Sequence, residues 1–133
     1  MKKKTLLLAS AFVLGTTTAA LAQDAPKFLT ETYPEHALQS ALEARGVLEG
    51  EQAALDAKTR ELIALGVAAQ IPCSYCVYAH TNKARAQGAS EAEIRESVAT
   101  AATVRQWSTV LNGMQYDLDE FKAEYDKLTG ATN

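Results

Sequence analysis

Cysteine and histidine are scarce in this chain, with two of each among 133 residues. Two cysteines cannot build the multi-bridge framework of a small disulfide-rich domain, nor the paired clusters of a zinc finger. Three prolines and seven glycines leave no collagen-like, linker-like or low-complexity tract. Basic charge is not in excess, since thirteen Lys and Arg face sixteen Asp and Glu, so nucleic acid is not expected as a partner. No run alternates β-branched and polar residues as a half-buried strand does, which excludes a sheet protein and leaves an all-α class. Aromatics are few, at 7%, and alanine fills the interior of the sequence, so one modest core is expected.

The apolar run at the start, Leu6 to Leu14, spans only about ten residues, well short of the roughly twenty that cross a bilayer. Lys2, Lys3 and Lys4 precede it and a small-residue stretch ending Ala20-Leu21-Ala22 follows. This is the pattern of a cleavable signal peptide, with the cut expected after Ala22. The mature chain would then hold 111 residues and a net charge of −6, with no membrane segment. Its expected location is periplasmic or secreted, where disulfides form and persist.

Residues 23–33 lack periodicity and read as a flexible lead-in, and residues 34–133 read as a single helical domain of about five to six helices. Pro34 suits a first helical turn, and Ala37, Leu38, Ala41 and Leu42 give an apolar stripe expected to end near Gly46. Asp56 is placed to cap the helix "KTRELIALGVAAQ", whose centre is apolar on nearly every side and is expected to be buried all round. Pro72 stops it. A further helix is expected from Cys73 or Ser74 to Gln87, with Gly88 as its stop. Ser90 and Glu93 form a capping box opening the next, with Ile94, Val98, Ala101 and Ala102 at helical spacing. Gly113 is expected to break that helix before Leu118, Phe121, Tyr125 and Leu128 mark one face of a last amphipathic segment.

The chemistry concentrates in "IPCSYCVYAH". On a helix starting at Cys73, the residues Cys73, Cys76 and His80 fall at i, i+3 and i+7, all on one face. Three uses are open. A structural staple is inefficient, because closing so short a loop removes little entropy from the unfolded chain. A metal site could use these three with His36 or Glu61 as a fourth ligand, though no second Cys/His pair stands at finger-like spacing. A reactive dithiol fits best, because a helix N-terminus favours a thiolate. Covalent haem needs C-x-x-C-H, and Val77 occupies that histidine's position; thioredoxin needs a βαβ frame that this chain lacks. His80 alone would read as an ordinary structural histidine, and Lys83, Arg85 and Arg95 read as solvated helix charges.

Residues 55–112, with Glu61 twelve positions before Cys73, then Cys76, then three residues and His80, resemble the carboxymuconolactone decarboxylase-like family and its alkyl hydroperoxidase D branch. Tyr75 stands where well-known members of that branch carry a second histidine. The resemblance implies an all-helical bundle assembled as homotrimers or homohexamers. It also implies roles: Cys76 attacks a peroxide and becomes a sulfenic acid, Cys73 resolves it as a disulfide, and Glu61 and His80 relay protons. Burial on its apolar helix would suit Glu61 to that relay, whereas an exposed glutamate beside Arg60 would be a surface charge.

The function expected is therefore an exported peroxidase of thiol–disulfide type, acting on hydrogen peroxide or organic hydroperoxides and recycled by an unidentified thiol reductant protein, with no bound cofactor or metal. General disulfide exchange on exported proteins is the near alternative, and a metal-binding module using Cys73, Cys76 and His80 the distant one. Decarboxylation or isomerisation of a lactone acid, which the family name suggests, gives the two cysteines no role.

Overall fold

The computed structural model describes residues 25–131, so the signal-peptide expectation lies outside the described residues. Six helices and no strand occur among them: α1 (Lys27–Thr30), α2 (Glu35–Glu49), α3 (Ala57–Gln70), α4 (Ser74–Ala86), α5 (Glu91–Gly113) and α6 (Leu118–Thr129). The protein is all-α. None of these helices is long and apolar enough to cross a membrane.

The helices fall into two compact units that divide between Ala53 and Ala54. In the first, the expected lead-in contains α1, a single turn opened by Pro26, whose φ of −56° already suits a helix start. Helix α2 follows Pro34 and passes through Gly46 rather than ending there, stopping at Gly50. A Cβ at Gly46 would meet nothing within 4 Å, and glycine in a helix costs only about 1 kcal/mol against alanine, too little to end a helix whose neighbours favour it.

The second unit is built on α3, which packs against both α4 and α5. Asp56 caps α3 by accepting the Thr59 amide at 2.9 Å, and its carboxyl is held below the usual carboxylate range first by the Thr59 hydroxyl and then by that amide. A three-residue turn, Ile71 to Cys73, leads into α4, making a helical hairpin. Gly88 then adopts φ +82°, the left-handed conformation that ends a helix and that a side chain would strain. Ser90 and Glu93 form the expected capping box at the head of α5.

The core of this unit is Leu65, Ala84, Ala89 and Ile94, with Leu62 and Val77 against it. Leu65 is fully enclosed, which contributes about 1.5–3 kcal/mol. The expectation that α3 is buried on all sides is not met: Ile63 and Val67 are 53% and 55% exposed. The unit supplies only α4 and α5 to cover α3, and its remaining face opens into an apolar groove of about 650 Å³ against α5.

Candidate functional site

The site forms along the seam between α3 and α4. On α3, Glu61 stands one turn before the core residue Leu65; on α4, His80 stands one turn before the core residue Ala84. The stripe that buries Leu65 and Ala84 therefore also carries the carboxylate and the imidazole into the seam. Glu61 Oε2 lies 2.6 Å from His80 Nδ1, with the two side chains only 12% and 28% exposed. A carboxylate at Nδ1 fixes the ring's tautomer and orientation and leaves Nε2 as the position that takes or gives a proton.

Cys73 and Cys76 are bonded to each other, with their Cα atoms 5.2 Å apart. Cys73 is the N-cap of α4, and its Sγ accepts the Cys76 amide at 3.2 Å. Cys76 lies within the first turn of α4 and four residues before His80, the spacing at which helical side chains are neighbours. The N-terminus of α4, a setting that favours a thiolate, lies at Cys73, and His80 stands one turn beyond Cys76 on the same helix. Both residues are partly exposed.

Two features depart from the sequence reading. Lys83, its side chain still 41% exposed, also pairs with the site, its Nζ lying 3.7 Å from Glu61 Oε1; α4 therefore aligns Cys76, His80 and Lys83 on successive turns. Arg85 is likewise engaged, donating to Glu91 at 2.7 and 3.2 Å, which raises the arginine's pKa and lowers the glutamate's. Tyr75 and Tyr78 project outward, 88% and 75% exposed, so Tyr75 does not enter the seam. Arg60 donates to the Leu55 carbonyl.

Sequence reasoning passed over two further residues. Gln70, the last residue of α3, donates from Nε2 to the Ala101 carbonyl at 2.6 Å, and Arg105 donates from Nε to Gln70 Oε1 at 2.7 Å and from Nη2 to the Gln70 carbonyl at 3.3 Å. Thirty-five residues separate Gln70 and Arg105, so no local pattern links them; Lys83, by contrast, could have been found from its i+3 spacing to His80. His36 belongs to α2 in the first unit. Among the described residues no group of three His, Cys, Asp or Glu side chains is arranged to hold a metal ion.

The carboxymuconolactone decarboxylase family model matches residues 36–117, and the chain belongs to that family. It is also similar to a protein of Paracoccus denitrificans named uncharacterized protein 4 in the cox locus, 40% identical over 52 residues that make up 39% of this chain and 47% of the relative. An uncharacterized protein of Haemophilus influenzae is 47% identical over 56 residues, 42% of this chain and 48% of the relative. The chain thus spans about half the length of these curated relatives. No solved structure matches it. Family membership together with the C-x-x-C pair is compatible with a peroxidase-like redox role.

Proposed function

We propose that the protein is a thiol–disulfide oxidoreductase of the alkyl hydroperoxidase D type, reducing hydrogen peroxide or organic hydroperoxides through Cys73 and Cys76. One observation carries this reading: a bonded cysteine pair stands at the head of the helix whose next turn presents a histidine hydrogen-bonded to a nearly buried glutamate. The Cys76 thiolate attacks the terminal peroxide oxygen, the O–O bond breaks, and the leaving alkoxide or hydroxide takes a proton, yielding Cys76 sulfenic acid and an alcohol or water. His80 gives that proton from Nε2, held in place by Glu61 at Nδ1. The Cys73 thiol then displaces water from the sulfenic acid to form the disulfide, and an external dithiol takes up the oxidation. The chain works outside the cytoplasm after loss of residues 1–22, and assembles as a homotrimer or homohexamer.

Turnover of hydrogen peroxide or an organic hydroperoxide with a dithiol reductant tests this. Cys76→Ser is expected to lose activity; full activity in that variant rules the assignment out. General disulfide exchange is the second reading, favoured by the Cys76 amide on Cys73 Sγ, which supports a thiolate at Cys73. A mixed disulfide with another exported protein, trapped on Cys76→Ser through its Cys73, would select it.

A further inference from the structure

Three hydrogen bonds join Gln70 to α5, and Gln70 stands three residues before Cys73. A helix end leaves its last carbonyls without intrahelical partners. At the end of α3 the Val67 carbonyl takes the Ile71 amide, the Ala68 carbonyl takes the Cys73 amide at 3.2 Å, and the Gln70 carbonyl takes Arg105 Nη2. The Gln70 side chain is also engaged at both ends, accepting from Arg105 Nε and donating to the Ala101 carbonyl one turn earlier on α5. The last turn of α3 is thereby fixed to α5, and Cys73 is tied to that turn through its own amide. Cys73 also caps α4, where its carbonyl accepts the Val77 amide at 2.9 Å, and Cys76 lies wholly within that helix.

We infer that Arg105, acting through Gln70, is a positioning residue for the Cys73–Cys76 pair, and that this clamp sets how readily the disulfide is reduced. The inference rests on the redox reading of the pair. Cys73 is shared between two helices, its amide tied to the end of α3 and its carbonyl and sulfur to the first turn of α4, whereas Cys76 belongs to α4 alone, so how firmly the end of α3 is held bears on the backbone of Cys73 and not on that of Cys76. Their Cα atoms are 5.2 Å apart, inside the window a disulfide needs. Holding two thiols at that separation in the reduced protein raises the effective concentration of one toward the other and favours the bond. Releasing the end of α3 lets Cys73 move away from Cys76 when the bond opens, which favours the dithiol. Arg105 touches neither sulfur, so its effect is on the equilibrium rather than on the attacking atom.

The test is the disulfide–dithiol equilibrium of the mature chain in a series of glutathione ratios, read by alkylation and mass spectrometry, for the wild type, Arg105→Ala and Gln70→Met. Gln70→Met keeps the side chain's length and helix preference while removing its bonds, and circular dichroism verifies that each variant is folded. Both variants are expected to be more easily reduced, by about threefold to tenfold in the equilibrium constant, tenfold being about 30 mV for a two-electron couple. Arg105→Lys, which cannot donate to Gln70 Oε1 and the Gln70 carbonyl together, is expected to fall between. A purely structural clamp would lower the melting temperature and leave the equilibrium where it was. Variants that titrate within a factor of two of the wild type overturn the inference and leave the redox reading standing. A wild-type disulfide that no glutathione ratio reduces overturns both.

Discussion

Glu61 is the residue on which the site turns, because its two oxygens reach both polar side chains that α4 sends into the seam: Oε2 to His80 at 2.6 Å and Oε1 to Lys83 at 3.7 Å. A carboxylate with so little exposure must be satisfied by partners from the protein, and here both come from one helix face. Substituting His80 with alanine removes the proton donor, and turnover of peroxide is expected to fall by about 100-fold or more. Glu61→Gln keeps an oxygen able to accept from Nδ1 but removes the charge, so a smaller loss, on the order of tenfold, is expected. The double variant should lose little beyond His80→Ala, because the glutamate acts through the histidine. Measuring kcat/KM for the three variants checks this, and additive losses would separate the two residues. At this scale the sequence was informative where spacing was local. Cys73, Cys76 and His80 share a face because 3.6 residues make a turn, and Glu61 was marked by the resemblance to the family, twelve positions before Cys73. Gln70 and Arg105 meet only because α3 and α5 pack, and no periodicity encodes that.

The elements of the second unit are set by their ends, and those ends were legible because capping is short-range chemistry. Asp56, Gly88 and the Ser90–Glu93 box all lie where the sequence pattern puts them. Removing the cap with Ser90→Ala is expected to cost about 1 kcal/mol of stability by denaturant unfolding. Glu93 also bridges helices: Lys58 Nζ donates to it at 2.6 Å, and this bond first, with those from the Ser90 amide and hydroxyl, holds its carboxyl down to about 2. An unfolded glutamate titrates near 4.3, about two units higher. The depressed carboxyl therefore stabilises the fold fully above that value, and the contribution drains away as pH falls toward about 2. Glu93→Gln, which still fits a capping box, should flatten the loss of stability across that acid interval; an unchanged acid limb would remove Glu93 from the account. Gly66 gives a prediction of opposite sign. A Cβ there would meet Ala101 Cβ at 3.5 Å and the Ser97 carbonyl at 3.6 Å, ordinary contact distances, so Gly66→Ala should raise stability by about 0.5–1 kcal/mol. A drop in melting temperature would mean that α3 and α5 cannot accommodate the methyl group.

The whole molecule has a small interior for its apolar content. Only Leu38, Leu65, Ala68, Ala84, Ala89 and Ile94 are buried among the described residues, while Ile63, Val67, Val104, Trp107 and Val110 on α3 and α5 are about half exposed or more. Helix α6 adds Leu118, Tyr125 and Leu128, at 64%, 52% and 82% exposure, on a face its spacing makes amphipathic. The all-round apolar character of α3 predicts burial on every side, yet periodicity reports which sides are apolar and not what covers them. The proposed homo-oligomer would cover these surfaces. Light scattering of the mature protein at micromolar concentration is expected to give three or six chain masses, and Val67→Lys, which puts a charge into the α3–α5 groove, should shift the population toward smaller species. A mass of one chain for the wild type would contradict the proposal.

The proposed function requires Cys73 and Cys76 to be a working redox couple rather than a permanent staple. Counting free thiols on the mature wild-type protein across a glutathione series, by alkylation and mass spectrometry, tests that most directly. A two-thiol transition is expected at a potential above the roughly −300 mV below which inert structural disulfides lie. A pair that stays bonded at every ratio would contradict it.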